Sequence, residues 1–454
     1  MEIADKNILI VGLGKSGAAS ARFLKKQGAK VTVTDMADEQ KLGLYLKELD
    51  GMNITMELGQ HRIETFKQAD LIVVSPGVPH TILPIKKAKE KGVAVVGEIE
   101  LAARFIKEPI VAVTGTNGKT TTTKLLGEML ENSGIKVFVG GNIGNPLINY
   151  VEKEEKAQVI VAEISSFQLD TIDTFRPKVS VLLNITKDHL DRYPDFEAYV
   201  KAKGRIFENQ REDDTAVLNG SDPLIRLLCE NIKAKKVFFS CDQDDAPGEN
   251  GKDATVMGKK IIIRLAGNGI RSIDLSCMSL PGRHNKENIS AACLAALAAG
   301  GTFEGIEHAL KKFKGLSHRL EYVLAINGVS YFNDSKATNV DAVVRALESF
   351  SAPVILIMGG RDKDNDFSAL GDLVRLHAKK LIVMGETSEK IKSALASFVS
   401  INSASSMEDA VFQAYREAAA GDIVLLSPAC SSFDMYNSYA ERGEHFCRVV
   451  KKLK

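Results

Sequence analysis

Short runs of β-branched and aliphatic residues alternate with longer stretches whose apolar positions recur at helical spacing, almost from one end of the chain to the other. That alternation is the pattern of parallel strands joined by crossover helices. It restarts twice. Residues 1–98 open with NILIVGLGKSG, continue through KVTVTD and ADLIVVSPGVP, and fade out in VAVVGEIE. Residues 99–315 restart at PIVAVTGTNGKTT and carry further strands in VIVAEISS and VSVLLNIT. In the same block, ATVMGKKIIIRLAGNGIRSIDL alternates apolar and polar residues around turn glycines, which predicts antiparallel hairpins. Residues 316–454 restart at VSYFNDSKATN and run through VILIMGGRDKD, KKLIVMGET and DIVLLSPACSS. Three α/β domains are expected, with boundaries after residues 98 and 315.

Composition narrows the class. A chain of 454 residues is too long for one hydrophobic core. Its 44% hydrophobic and 26% charged content is that of an ordinary globular protein. The net charge of +1, without a long run of one sign, argues against nucleic-acid or membrane-surface partners, which need a basic face. Cys229, Cys241, Cys277, Cys293, Cys430 and Cys447 are scattered, with no CxxC pair, and fit reduced thiols in the cytoplasm. The N-terminal KNILIVGLG leads directly into a strand and turn, so no signal peptide is expected there. The apolar AACLAALAAG is far short of the ~20 residues that cross a bilayer.

The chemistry concentrates in turns that follow strands. In VAVTGTNGKTTTTKLL, the strand Ile110–Thr114 runs into Gly115, Thr116, Asn117 and Gly118, then Lys119, Thr120 and Thr121 open a helix. Val113 stands where a strict phosphate-binding loop has its first glycine. The cradle survives: backbone N–H groups at a helix N-terminus favour phosphate oxygens, Lys119 adds a charge, and the Thr120 hydroxyl is placed for Mg²⁺. Glu163 ends a predicted strand, where ligands collect in open α/β sheets. His189, between Asp188 and Asp191, follows another strand. In the first block, Gly12, Gly14 and Gly17 form G-x-G-x-x-G after a strand, with Asp35 ending the next strand, as in dinucleotide sites. That leaves a hydride cofactor or another nucleotide diphosphate open. In the third block, Asp334, Lys336 and Thr338, then Lys363, then Ser432 and Phe433 follow successive strands, so these loops can gather at one sheet edge. A second substrate is expected there, and the SPACSSF turn is expected to open a helix.

GTNGKTT, EISSFQLD, NITKDHLDRY, PGRHNKENISAA, LSHRLE, NDSKATN and LSPACSSFD occur in the order seen in the Mur ligases of peptidoglycan synthesis, which the chain resembles from end to end. Folylpolyglutamate synthases share the central motifs but not the first domain. The resemblance implies a Rossmann-like N-terminal domain that binds a UDP-substrate, a central P-loop mononucleotide-binding ATPase domain, and a Rossmann-like C-terminal domain that binds an amino acid. The dinucleotide-like fingerprint then holds UDP rather than NAD. SPGVP, SSFQLD and SPACSSFD, with no DNPR motif, resemble the members that add D-glutamate to UDP-N-acetylmuramoyl-L-alanine through an acyl phosphate. A sister ligase adding another amino acid is the alternative. By the same resemblance, Gly118, Lys119, Thr120 and Thr121 hold the ATP phosphates, and Asn285, Asn288, Arg319 and Asp334 complete the nucleotide site. Thr120, Glu163, His189 and a carbamylated Lys203 serve two Mg²⁺ ions. Ser16, Asp35, Gly77 and Asn142 contact the UDP-sugar. Thr338, Lys363, Ser432, Phe433 and Tyr439 hold D-glutamate, with Lys336 beside the reacting phosphate. The resemblance also implies a cytoplasmic monomer.

Overall fold

A computed structural model describes residues 2–189, 192–241, 253–264, 269–276, 278, 282–362 and 364–453. Among these residues the strands form three sheets. The first contains β1 (Asn7–Val11), β2 (Lys30–Asp35), β3 (Thr55–Leu58), β4 (Leu71–Val74) and β5 (Ala94–Gly97), ordered β3-β2-β1-β4-β5 and entirely parallel. β1 and β4 are buried almost throughout because helices cover both faces, which is why they read as unbroken apolar runs. Order reverses between β1 and β4, the place where such sheets open a crevice for ligands. Gly12 follows β1 at φ +94°, and a Cβ there would press on Val78 and Ser75. Only glycine fits that turn.

The middle sheet is built from β6 (Ile110–Thr114), β7 (Val137–Gly141), β8 (Val159–Glu163), β9 (Val179–Leu182), β10 (Thr215–Asn219), β11 (Lys235–Ser240), β12 (Ala254–Met257), β13 (Lys260–Arg264) and β14 (Ile270–Asp274). Its order is β14-β13-β12-β11-β10-β9-β6-β8-β7. The pairs from β12 to β7 are parallel, whereas β12, β13 and β14 form the expected antiparallel hairpins. The third sheet comprises β15 (Glu321–Ile326), β16 (Val329–Asn333), β17 (Val354–Met358), β18 (Ala378–Val383), β19 (Ile401–Ser403) and β20 (Ile423–Leu426), ordered β15-β16-β20-β17-β18-β19. Only the edge strand β15 runs antiparallel in it. No helix among the described residues is long and apolar enough to cross a membrane.

The joints between domains differ in character. One apolar cluster is continuous from Leu13, Phe23 and Leu24 of the N-terminal domain into Leu147, Tyr150 and Leu169 of the middle domain. The C-terminal sheet has its own cores on its two faces. It meets the middle domain through polar contacts: Arg319 Nη2 donates to Thr120 Oγ1 (2.8 Å), Asn117 Nδ2 to Asp341 Oδ2 (2.6 Å) and Asn339 Nδ2 to Asp188 Oδ2 (2.8 Å).

Candidate active site

The loop after β6 is held from several sides. Gly115 and Gly118 take φ of +154° and +88°, and Gly118 is the residue from which the helix Lys119–Asn132 departs. A Cβ on Gly118 would collide with the Asn288 side chain, so a tight turn and a close approach both require glycine here. Thr116 N donates to Asn184 O (2.9 Å), and Thr116 Oγ1 lies 3.1 Å from Tyr199 Oη. Asn117 N donates to Asn184 Oδ1 (2.8 Å), while Asn184 Nδ2 donates to Asn117 O (3.0 Å). Lys119 Nζ folds back on the loop, donating to Gly115 O and Thr116 O at 2.8 Å each. An incoming phosphate oxygen offers that ammonium a charged acceptor in place of two carbonyls.

Facing this loop is a cleft with about 590 Å³ of empty space, partly open to solvent, between the middle and C-terminal domains. It brings together Asn117, Gly118, Thr121, Asn285, Asn288, Arg319, Asp334 and Lys336, residues named from four separate stretches of sequence. Asp334 accepts from Ser427 Oγ (2.9 Å) and Leu320 N (3.2 Å), yet burial pushes its carboxyl up to about 7. His284, which also lines the cleft, is driven down to about 4 by burial and by the nearby charge of Arg345. Its imidazole is neutral at pH 7.

Beside the loop stand the groups expected to serve metal. Glu163 ends β8 and is 2% exposed; Asn142 Nδ2 donates to its Oε1 (2.8 Å), and its buried Oε2 has no hydrogen-bond partner. An orphaned carboxylate oxygen beside a phosphate loop fits a hard cation. His189 sits at φ +57°, with its Nε2 3.8 Å from Asp188 Oδ2 and its ring edge-on to Phe167. Asp191 lies outside the described residues. Lys203 is 1% exposed, and its Nζ donates to Gly115 O (2.8 Å) and lies 4.6 Å from the Tyr199 ring centroid. Burial, then the charge of Lys119, holds this amine well below the ordinary lysine range. No cluster of three His, Cys, Asp or Glu suited to a metal occurs among the described residues. Mg²⁺ is commonly held by one or two carboxylates with substrate phosphates and water, so a single glutamate is compatible with it.

In the N-terminal crevice, Asp35 turns inward. Its Oδ2 accepts from Leu13 N (2.7 Å) and its Oδ1 from Ala37 N (2.8 Å), so it braces the glycine turn. Ser16 lies in the first turn of the helix Lys15–Lys26, and Lys15 Nζ reaches across to Gly144 O (2.5 Å). Arg192 Nη1 donates to Gly77 O (3.2 Å), so the SPGVP loop touches the middle domain. In the C-terminal domain, Ser432 is 2% exposed and Phe433 is 62% exposed. Thr338 follows Lys336, whose Nζ sits 3.7 Å above the Tyr439 ring. Lys363 lies outside the described residues. The SPACSSF turn does not open a helix as expected: Tyr436 N donates to Ser432 O (2.8 Å), and the helix Tyr439–Lys451 starts later, capped by the Ser438 side chain.

Several contributors escaped the sequence reading. Arg442 is buried and pins the loops after three strands, donating to Ser335 O (2.9 Å) after β16, Gly359 O (3.4 Å) after β17, and Cys430 O (3.0 Å) and Ser431 O (3.3 Å) after β20. Nothing in the local string ERGEHF marks it, because its partners are backbone carbonyls far away in sequence. Asn184, in contrast, lies two residues beyond β9, and a polar residue just past that strand end was a usable signal.

Comparison with known proteins follows the same three-part division. The descriptions "Mur ligase MurD-like, N-terminal domain", "Mur ligase middle domain" and "Mur ligase, glutamate ligase domain" match residues 6–97, 113–296 and 318–430. The UDP-N-acetylmuramoylalanine–D-glutamate ligase of Desulfosudis oleivorans is 53% identical over 100% of this chain and 98% of its own length. Its counterpart in Geotalea daltonii is 50% identical over 100% of this chain and 99% of its own. Among solved structures, a pseudomurein peptide ligase type C from Methanothermus fervidus aligns with a TM-score of 0.63 at 21% identity, covering 99% of this chain and 100% of that one. A MurF ligase from Thermotoga maritima in complex with ADP aligns at 0.62 and 17% identity, over 100% and 97% of the two chains, and supports the fold. The chain belongs to the Mur ligase family, whose members form amide bonds with ATP.

Proposed function

We propose that the protein joins D-glutamate to UDP-N-acetylmuramoyl-L-alanine with ATP, in the cytoplasm and as a monomer, as a step of peptidoglycan precursor synthesis. The observation that carries this reading is the meeting of a phosphate loop and the C-terminal strand-end loops across one cleft. Its assignment to D-glutamate rests on full-length relatives of that name. We divide the chain at 98/99 and 315/316 into UDP-substrate, ATPase and amino-acid domains.

A carboxylate is a poor acylating agent, so it must first be activated. The L-alanyl carboxylate oxygen attacks the γ-phosphorus of ATP, the bond to the bridging oxygen breaks, and ADP leaves. The neutral amine of D-glutamate then attacks the acyl carbon, phosphate departs with the former carboxylate oxygen, and the amine loses a proton. Two anions approach in the first step, so cationic and N–H groups must take up the shifting charge. Gly115–Gly118 and Thr121 supply loop contacts to phosphate, with Lys119 at the transferring group and Lys336 across the cleft. Asn285, Asn288, Arg319 and Asp334 hold the rest of the nucleotide.

Thr120, Glu163 and His189 would hold Mg²⁺, which neutralises phosphate charge when bound. Lys203 would complete a second such site after condensing with CO₂, its amine nitrogen forming the N–C bond and releasing a proton. The depressed, buried amine supports that step, because only the neutral form is nucleophilic. Ser16, Asp35, Gly77 and Asn142 would face the UDP-sugar, and Asp35 would act through the turn that it braces. Thr338, Lys363, Ser432, Phe433 and Tyr439 would receive D-glutamate. Its second carboxylate must meet fixed donors, and a substrate lacking it leaves them unpaired, at ~1–3 kcal/mol per group.

The test is phosphate release from ATP with UDP-N-acetylmuramoyl-L-alanine and a panel of amino acids. D-Glutamate is expected to give the fastest release, ahead of D-alanine and L-glutamate. Faster ligation of L-lysine or diaminopimelate would overturn the substrate assignment while leaving the activation chemistry intact.

A further inference from the structure

The Asn117 side chain of the phosphate loop reaches out of the middle domain, as the Thr120 hydroxyl does toward Arg319. The Asn117 backbone is fixed by Asn184 on both its N–H and C=O, while its Nδ2 donates to Asp341 Oδ2 (2.6 Å). Asp341 stands in the first turn of the helix Val340–Leu347 of the C-terminal domain. The same Oδ2 accepts from Arg345 Nε (2.8 Å), one turn further along that helix. Arg345 Nη1 in turn lies 3.5 Å from Glu287 Oε2, back on the middle-domain helix Arg283–Ala298. The chain of contacts therefore crosses the domain boundary twice. Asp341 is not needed to cap its helix, because Asn339 Oδ1 accepts from Ala342 N (2.9 Å).

We propose that Asp341 is a positioning residue that latches the C-terminal domain onto the phosphate loop through Asn117. The inference rests on the reading of that loop as the ATP site. The joint it spans is polar, unlike the apolar joint between the first two domains, so water can replace its contacts when the domain swings away. Asp341 lies five residues beyond Lys336, which lines the cleft with Asn117. Docking Asp341 on the loop therefore draws the Lys336–Asn339 segment, with its amino-acid-binding candidates, toward the transferring phosphate. Arg345 neutralises the carboxylate, so the latch does not place an unpaired negative charge beside the phosphates. Asn339, bonded to Asp188 at 2.8 Å, and Arg319, bonded to Thr120 at 2.8 Å, act in parallel, so Asp341 tunes closure rather than determining it alone.

The experiment uses the full chain with a fluorophore pair on exposed positions of the middle and C-terminal domains, read without ligands and with saturating ATP. Asp341→Ala is expected to lower ligand-free transfer efficiency while far-UV circular dichroism and melting temperature stay those of the parent. In steady state, its KM for D-glutamate and for ATP should rise roughly fivefold, the scale of one net hydrogen bond, while KM for the UDP-substrate stays within about twofold. Asn117→Ala should reproduce the change in transfer efficiency, and the double variant should add nothing to it, as expected for one shared contact. Unchanged transfer efficiency in Asp341→Ala, additive effects of the two substitutions, or an equal rise in all three KM values would each overturn the latch. The fluorescence reading needs no turnover, so an absence of ATP-dependent ligation in the parent protein would defeat the functional reading separately.

Discussion

Lys119 and Lys203 share one acceptor: each places its Nζ 2.8 Å from Gly115 O. Burial, reinforced by the charge of Lys119, holds the Lys203 amine at the floor of the site well below the ordinary lysine range. The two lysines therefore have different expected phenotypes. Lys119→Ala removes the charge proposed to meet the transferring phosphoryl group, and kcat should fall roughly 10³-fold with the fold intact. Turnover within tenfold of the parent would remove Lys119 from the phosphate cradle. Lys203→Ala should be nearly inactive for another reason, the loss of an anion for the second metal site. Acetate or a similar small carboxylate should restore part of its activity, whereas it should do nothing for Lys119→Ala. An absence of rescue, with bicarbonate-independent activity in the parent, would contradict a carbamate at Lys203.

At the scale of elements, the short helix Glu98–Ala103 links the N-terminal sheet to the middle domain. Glu98 is 1% exposed, accepts from Ile148 N (2.8 Å) with Oε1, and has no hydrogen-bond partner for Oε2. Burial pushes its carboxyl up to about 7, from an ordinary value of 4.5. The folded state therefore favours the protonated form, so this stability contribution is full below about pH 4.5 and is lost as pH rises through about 7. The loss amounts to at most ~3 kcal/mol. Glu98→Gln keeps the acceptor and cannot ionise, so its melting temperature should fall less than the parent's between pH 5 and 8. Parallel curves would show that Glu98 does not titrate in that range. The sequence made most elements legible: the strand-turn-helix at 110–132, the hairpins of β12–β14 and the glycine turn after β1 all announce themselves by period and punctuation. The helix Glu98–Ala103 hid inside VAVVGEIE because it has fewer than two turns and continues an apolar run. β15 was missed because an antiparallel edge strand needs only its neighbour β16 to define it. The late start of the last helix, at Tyr439, depended on a Ser438 cap that resembles any other loop serine.

For the whole molecule, the contrast between an apolar first joint and a polar second one leads us to expect motion at the second. The N-terminal and middle domains are expected to hold the UDP-substrate as one body, and the C-terminal domain is expected to bring the amine. Closure has a chemical purpose, since an acyl phosphate exposed to bulk water hydrolyses before the amine arrives. Of the cleft residues, those of the phosphate loop and Asp334 and Lys336 were legible in turns after strands, whereas Asn285, Asn288 and Arg319 were named through the family resemblance; the convergence of all of them depends on how the second and third domains meet. The Asn117–Asp341 contact belongs to that meeting, and the contacts of Arg442 join loops distant in sequence within the C-terminal domain, so no local motif could expose either. The central claim is that ATP serves to activate a carboxylate, and oxygen transfer tests it most directly. UDP-N-acetylmuramoyl-L-alanine labelled with ¹⁸O in its terminal carboxylate is turned over with ATP and D-glutamate, and the released phosphate is examined by mass spectrometry. The account predicts that each phosphate released carries one oxygen from the labelled carboxylate; unlabelled phosphate released alongside ligated product would contradict it.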